Sequence, residues 1–133
     1  MSENLDLVRS IYAAWERGEF SRADWAHPEI ELVYVGGPSP GTFRGLVGMA
    51  EGHGGWLNAW DDFRVLADEY REIDDERVLV LDQPRGRGKS SGLDIGQKGA
   101  TLFHIRDGRA IKVVITWNRE QAFADLGLPP ETG

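Results

Sequence analysis

Thr101-Leu102-Phe103-His104-Ile105-Arg106-Asp107-Gly108-Arg109-Ala110-Ile111-Lys112-Val113-Val114-Ile115-Thr116-Trp117 reads as two strands turning back on each other at Asp107-Gly108. The length of the turn decides the register. A two-residue Asp107-Gly108 loop would set Phe103 opposite Lys112 and His104 opposite Ile111, mixing polar and apolar residues on both faces. A three-residue Arg106-Asp107-Gly108 loop pairs Phe103 with Ile111 and Thr101 with Val113, and leaves Gly108 in a left-handed bulge position. The second register collects Thr101, Phe103, Ile105, Ile111, Val113, Ile115 and Trp117 on one face, so it is the one expected. Leu102 and Val114 leave the opposite face partly apolar as well.

Upstream of this hairpin the alternation continues. Phe63 to Ile73, Arg77 to Gln83 and Gly92 to Arg106 are expected as strands, with Asp74-Asp75-Glu76 as a turn. Earlier still the period changes to that of a helix. Leu5, Val8, Ile11, Tyr12 and Trp15 form one stripe between Asn4 and Arg17, closed by Gly18. Ser21 with Asp24 suggests a short second helix that Pro28 would end. Ile30, Leu32 and Tyr34 mark a strand, followed by a loop from Gly36 to Gly41. A third helix is expected over Leu46 to Trp60, with Met49, His53, Trp56 and Trp60 along one side. Gly48, Gly52, Gly54 and Gly55 each weaken it by about 1 kcal/mol relative to alanine, so it either packs very closely or moves. Glu120 to Leu126 makes a last helix, capped by Gly127. Helices followed by a run of antiparallel strands indicate an α+β fold, with the helices gathered on one face of a curved sheet.

At 133 residues the chain is expected to be a single domain over 1–133. Fifteen basic against 22 acidic residues give a net charge of −7, which argues against nucleic acid or an anionic membrane as partner. With no cysteine, disulfides, thiolate metal sites and cysteine nucleophiles are excluded. Met1 to Asp6 shows no leader pattern, and no apolar run reaches membrane-spanning length, so a cytoplasmic protein is expected.

Several segments together resemble the nuclear transport factor 2-like superfamily in its SnoaL-like branch. They are Val8-Arg9-Ser10-Ile11-Tyr12-Ala13-Ala14-Trp15-Glu16-Arg17-Gly18, His27-Pro28-Glu29-Ile30-Glu31-Leu32, Phe43-Arg44-Gly45, Phe103-His104-Ile105-Arg106-Asp107-Gly108-Arg109 and Trp117-Asn118-Arg119-Glu120. The resemblance spans nearly the whole chain. It implies a cone of three helices on a strongly curved, mostly antiparallel sheet enclosing an apolar pocket, often in homodimers. Members include ketosteroid isomerases, polyketide cyclases, epoxide hydrolases and non-catalytic binders, so fold alone does not choose an activity. The isomerase base position falls on Leu32 or Val33, its tyrosine on Ile11 and its late-strand acid on Thr101. An aspartate of limonene-type epoxide hydrolases corresponds to Ile115. Neither chemistry is therefore expected.

The remaining acid–base candidates are His53, Asp82 and Tyr12. His53 shares a helix face with two tryptophans, where an imidazole would titrate near neutral pH; otherwise it is a half-exposed surface histidine. Asp82 follows Val78-Leu79-Val80-Leu81 and is either a partly buried carboxyl of raised pKa or the point where the strand emerges into solvent. Tyr12 and Tyr34 either donate hydrogen bonds into a pocket or pack with the hydroxyl at its rim. The expected pocket lining is Trp15, Leu32, Tyr34, Trp56, Trp60, Phe103, Val113, Ile115 and Trp117, with core packing as the alternative for Trp56 and Trp60. Arg85, Arg87 and Lys89 offer a cationic strand face, either for an anion or simply solvated. His27, His53 and His104 lie on separate elements, so no metal is expected, and no cofactor motif occurs. A small apolar or carbonyl compound is the expected ligand. It would be acted on by cofactor-independent acid–base chemistry (isomerase, cyclase or lyase type) or merely bound. A dimeric interaction protein is the third possibility.

Overall fold

The computed structural model describes residues 3–20, 24–35, 41–88, 98–116 and 118–127, without the side chains of residues 52, 53, 55–60 and 88. In chain order the elements are α1 (Glu3–Glu16), β1 (Ala26–Val35), β2 (Gly41–Arg44), α2 (Gly45–Ala59), β3 (Trp60–Glu72), β4 (Arg77–Gly88), β5 (Gly99–Arg106), β6 (Arg109–Thr116) and α3 (Arg119–Leu126). The strands form one sheet in the order β2-β1-β6-β5-β4-β3. All neighbours are antiparallel except β1 and β6. An α+β architecture of helices on a mostly antiparallel sheet is as expected.

The alternating burial of β4 organises the two sides. Val78 and Val80 join Val8, Ile11, Tyr12, Trp15, Met49 and Phe103 in the inner core beneath α1 and α2. Leu79 and Leu81 point the other way, onto Ala122 and Phe123 of α3. A strand covered on both faces needs apolar residues at every position, which explains the unbroken Val78–Leu81 run. In α2, close packing accounts for one glycine: a Cβ on Gly48 would come 3.2 Å from the Phe43 carbonyl carbon.

Four expectations are corrected. The final turn is the two-residue Asp107-Gly108 loop, with both residues at positive φ (53° and 76°) and Arg106 opposite Arg109. Phe103 pairs with Val113 and Thr101 with Ile115, not with Ile111 and Val113. A bulge at Ile111 absorbs the odd residue and restores a uniform inner face, so a bulge rather than a longer loop resolves the polarity conflict. No short helix precedes Pro28 among the described residues: Asp24 and Trp25 form a turn, and Pro28 lies inside β1, where the pairing with β6 is interrupted between Ala26 and Glu31. Gly41 to Arg44, expected as loop and helix entry, forms β2 on β1. β5 begins at Gly99 instead of Gly92, and the segment 89–97 lies outside the described residues.

Candidate functional site

Asp82 stays in the sheet where solvent was one expectation. It continues the inner alternation of Val78 and Val80 and is 4% exposed. Above it, the stripe of α1 brings down Tyr12, whose hydroxyl donates to Asp82 Oδ2 at 2.6 Å. From β5, the Thr101 hydroxyl donates to the same oxygen at 2.7 Å. Tyr12 is itself fully buried, edge-on to Trp15, Tyr70 and Phe103. Its hydroxyl is therefore deep in the core instead of at a rim.

Burial lifts the Asp82 carboxyl from the ordinary 3.8 to about 6. The hydrogen bonds from Tyr12 and Thr101 and the charge of Arg119 oppose that rise, while the charge of Asp68 adds to it. Burial pushes the Tyr12 phenol well above its usual range, and the charge of Asp82 acts the same way. Tyr12 is thus a hydrogen-bond donor and not a base, while Asp82 can exchange a proton near neutral pH. Oδ2 is occupied by both hydroxyls. Oδ1 lies toward Gly99, where an added Cβ would stand 3.2 Å from it and 2.7 Å from the Thr116 carbonyl oxygen. Only a residue without a side chain leaves the carboxyl this space.

Arg119, the first residue of α3, supports the same place from its far side. Asn118 caps the helix by accepting from the Gln121 amide. The Arg119 guanidinium donates to the Gly99 carbonyl at 3.0 Å, the Asp82 carbonyl at 3.2 Å and the Asp68 carboxylate at 2.7 Å. Gln83 also donates to Asp68. Although its partial burial works upward, these two donors hold the Asp68 pKa below the ordinary value.

Of the acid–base candidates, Tyr12 and Asp82 are brought together, while the side chain of His53 lies outside the described residues. Trp15, Leu32, Phe103 and Val113 are buried in the inner core, and Ile115 is packed against it. Tyr34 is also buried, edge-on to Phe43 at 5.9 Å, and burial raises its pKa. The side chains of Trp56 and Trp60, and the residues Trp117 and Lys89, lie outside the described residues. Arg85 and Arg87 are exposed, with Arg85 donating to Gln83. His27 accepts from the Glu29 amide, and His104 sits 3.1 Å from Glu76. Among the described residues no cluster of three or more His, Asp or Glu could hold a metal. None of their helices is long and apolar enough to cross a membrane.

Sequence reasoning placed Thr101 on the inner face of the hairpin and at a missing acid position, without a role of its own, and gave Arg119, Asp68 and Gly99 no part in the site. Thr101 carried a usable signal, since it is a hydroxyl on an otherwise apolar face. Arg119 and Asp68 carried none, because their meeting depends on how α3 folds back over the sheet. On the outer face, a cleft of about 610 Å³ is lined by Asp74 to Arg77, Leu102, His104, Lys112 and Val114.

No protein-family model matches the chain, and no curated protein matches it. Solved structures do. A nuclear transport factor 2-like protein of unknown function from Burkholderia pseudomallei superposes with a TM-score of 0.79 at 22% identity, covering 93% of this chain and 97% of that one. TerC, co-crystallised with polyporic acid, gives 0.76 at 22% identity, covering 94% and 98%. A putative SnoaL-like polyketide cyclase from Jannaschia sp. gives 0.74 at 15% identity, covering 96% and 94%.

Proposed function

We propose that this chain, which has the nuclear transport factor 2-like fold, is a single-domain, cytoplasmic SnoaL-like protein that binds a small, largely apolar molecule on the inner side of its sheet. Asp82 acts on that molecule as a cofactor-independent general acid or base. The observation that carries the reading is a carboxyl group buried in the core with its acidity moved to about 6. The apolar inner surface of Phe103, Val113 and Ile115 would penalise a charged ligand by several kcal/mol, which favours a neutral carbonyl or aromatic compound. The fold neighbour crystallised with polyporic acid supports occupancy by a small organic molecule. Trp15, Leu32, Tyr34, Trp56, Trp60 and Trp117 complete the proposed lining, and His53 is a second acid–base candidate.

Small apolar and aromatic carbonyl compounds should quench or shift tryptophan fluorescence and raise the melting temperature, both less in Trp60→Ala. Turnover of a compound so found should follow a single ionisation near pH 6 and vanish in Asp82→Asn. Loss of turnover in His53→Ala, with Asp82→Asn active, would transfer the role to His53. Binding without turnover would leave a ligand-binding module. That second reading draws on one observation, the saturation of Asp82 Oδ2 by two internal donors. If only polyanions bound, through Arg85, Arg87 and Lys89, the apolar site would be abandoned.

The proposed assembly is a homodimer through the outer face. There Leu102 and Val114 are half-buried in the open cleft, among charged neighbours of both signs. Sedimentation should give a dimer at micromolar concentration, and Val114→Lys should dissociate it. A wild-type monomer would refute the assembly.

A further inference from the structure

We propose that Arg119 is the positioning residue of the buried acid: its guanidinium ties off the Asp82 end of the β4–β5 ladder and, with Asp68, sets the pH at which Asp82 exchanges its proton. The proposal rests on the reading of Asp82 as an acid–base group.

The geometry comes first. Asp82 and Gly99 are the last pair of the β4–β5 ladder. Beyond them β4 and β5 share no further rung among the described residues, whereas on its other edge β4 stays paired with β3, Asp82 with Ala67 and Gln83 with Leu66. The side toward β5 is where the backbone at Asp82 is left open. Arg119 bridges this open end, donating through Nε to the carbonyl of Gly99 and through Nη2 to that of Asp82. Its side chain is only 10% exposed. A planar fork of donors suits two neighbouring carbonyls in a way that a lysine ammonium does not. A long, flexible side chain is normally ordered only at an entropic cost. Here the Asn118 cap directs it at its first helical residue, and Asp68 on β3 holds its tip at 2.7 Å.

The electrostatics follow from that placement. The described groups around the Asp82 carboxyl are Tyr12 from α1 and Thr101 from β5, which donate to it, Asp68 from β3 and Arg119 from α3. Tyr70 lies behind Tyr12, and Lys98 acts on Asp68. The positive charge of Arg119 favours the ionised carboxyl, and the negative charge of Asp68 opposes it. The two members of one ion pair therefore act on Asp82 in opposite directions. A purely structural brace would lack this property, since removing either partner breaks the same contact.

The full-length protein, labelled with carboxyl-¹³C aspartate, reports the Asp82 titration by NMR, with Asp82→Asn identifying its signal. Arg119→Gln should move the midpoint up and Asp68→Asn should move it down, each by roughly half a pH unit or more. Arg119→Lys, which keeps the charge without the fork, should stay closer to wild type than Arg119→Gln does. If Arg119→Gln does not fold, Asp68→Asn and Arg119→Lys carry the test. Displacement of both midpoints in the same direction, or of neither, would overturn the proposal and leave a brace. A wild-type midpoint in the ordinary carboxylate range would overturn the acid reading of Asp82 itself, and this proposal with it. That outcome is read before any Arg119 variant is made.

Discussion

Replacing Asp82 with asparagine should change how stability depends on pH, in a direction set by the site. In the unfolded chain the carboxyl titrates near 3.8, and in the folded protein near 6. Between those values the native state holds a proton that the unfolded state has lost. The stabilisation associated with the neutral acid is therefore fully present below pH 3.8 and is lost as pH rises through 6. Each pH unit of separation corresponds to 1.36 kcal/mol, so ionised Asp82 makes the fold about 3 kcal/mol less stable than the neutral acid would. Asparagine has the same shape, keeps an oxygen for the Tyr12 and Thr101 hydroxyls, and does not titrate. Urea unfolding of both proteins at pH 4 and pH 8 isolates the effect, because every other titrating group is common to the two. The free-energy difference should move in favour of Asp82→Asn by about 2–3 kcal/mol across that range. A difference that is the same at both pH values would refute the claim that burial has raised the Asp82 pKa.

Tyr12→Phe removes one of the two donors to Asp82 Oδ2. It should cost about 1–3 kcal/mol in urea unfolding and raise the Asp82 midpoint further, since that donor stabilises the charged form. Gly99→Ala places a methyl group 2.7 Å from the Thr116 carbonyl oxygen. Both strands must shift to admit it, and a loss of about 1–3 kcal/mol is expected by the same measurement. No 3-ketosteroid isomerisation above background is expected. Leu32, Ile11 and Thr101 are buried, and the resemblance sets them where that reaction would need a base, a phenol and an acid. Turnover abolished by a single inner-face substitution would contradict this.

The order of the elements could be read from the chain because it depends on local periodicity. The stripe of Leu5, Val8, Ile11, Tyr12 and Trp15 predicts α1, and the apolar residues after Arg77 predict a strand; both lie where expected, while the cover on both faces of Val78 to Leu81 is seen only in the fold. Turn chemistry proved less decisive. Asp107-Gly108 suits a two-residue loop, and the conflict with side-chain polarity was removed by a bulge at Ile111, which no local pattern announces. Asp82 marks the same boundary at the site. The following Gln83 and Pro84 suggested an exit to solvent, yet β4 runs on to Gly88 with α1 above it.

Tyr12 and Thr101 are 70 and 19 residues from Asp82 in sequence. Their common oxygen exists only once α1 crosses the inner face and β5 pairs with β4. The pKa of Asp82 likewise belongs to no residue in isolation. It sets the loss of water and a second carboxylate against two hydroxyls and a guanidinium, groups delivered to β4 by four other elements of the fold. Sequence periodicity determines which side of each element is apolar, because that depends on nearest neighbours along the chain. Whether a carboxyl is buried, and what surrounds it, depends on contacts between distant segments, and only the tertiary structure makes those.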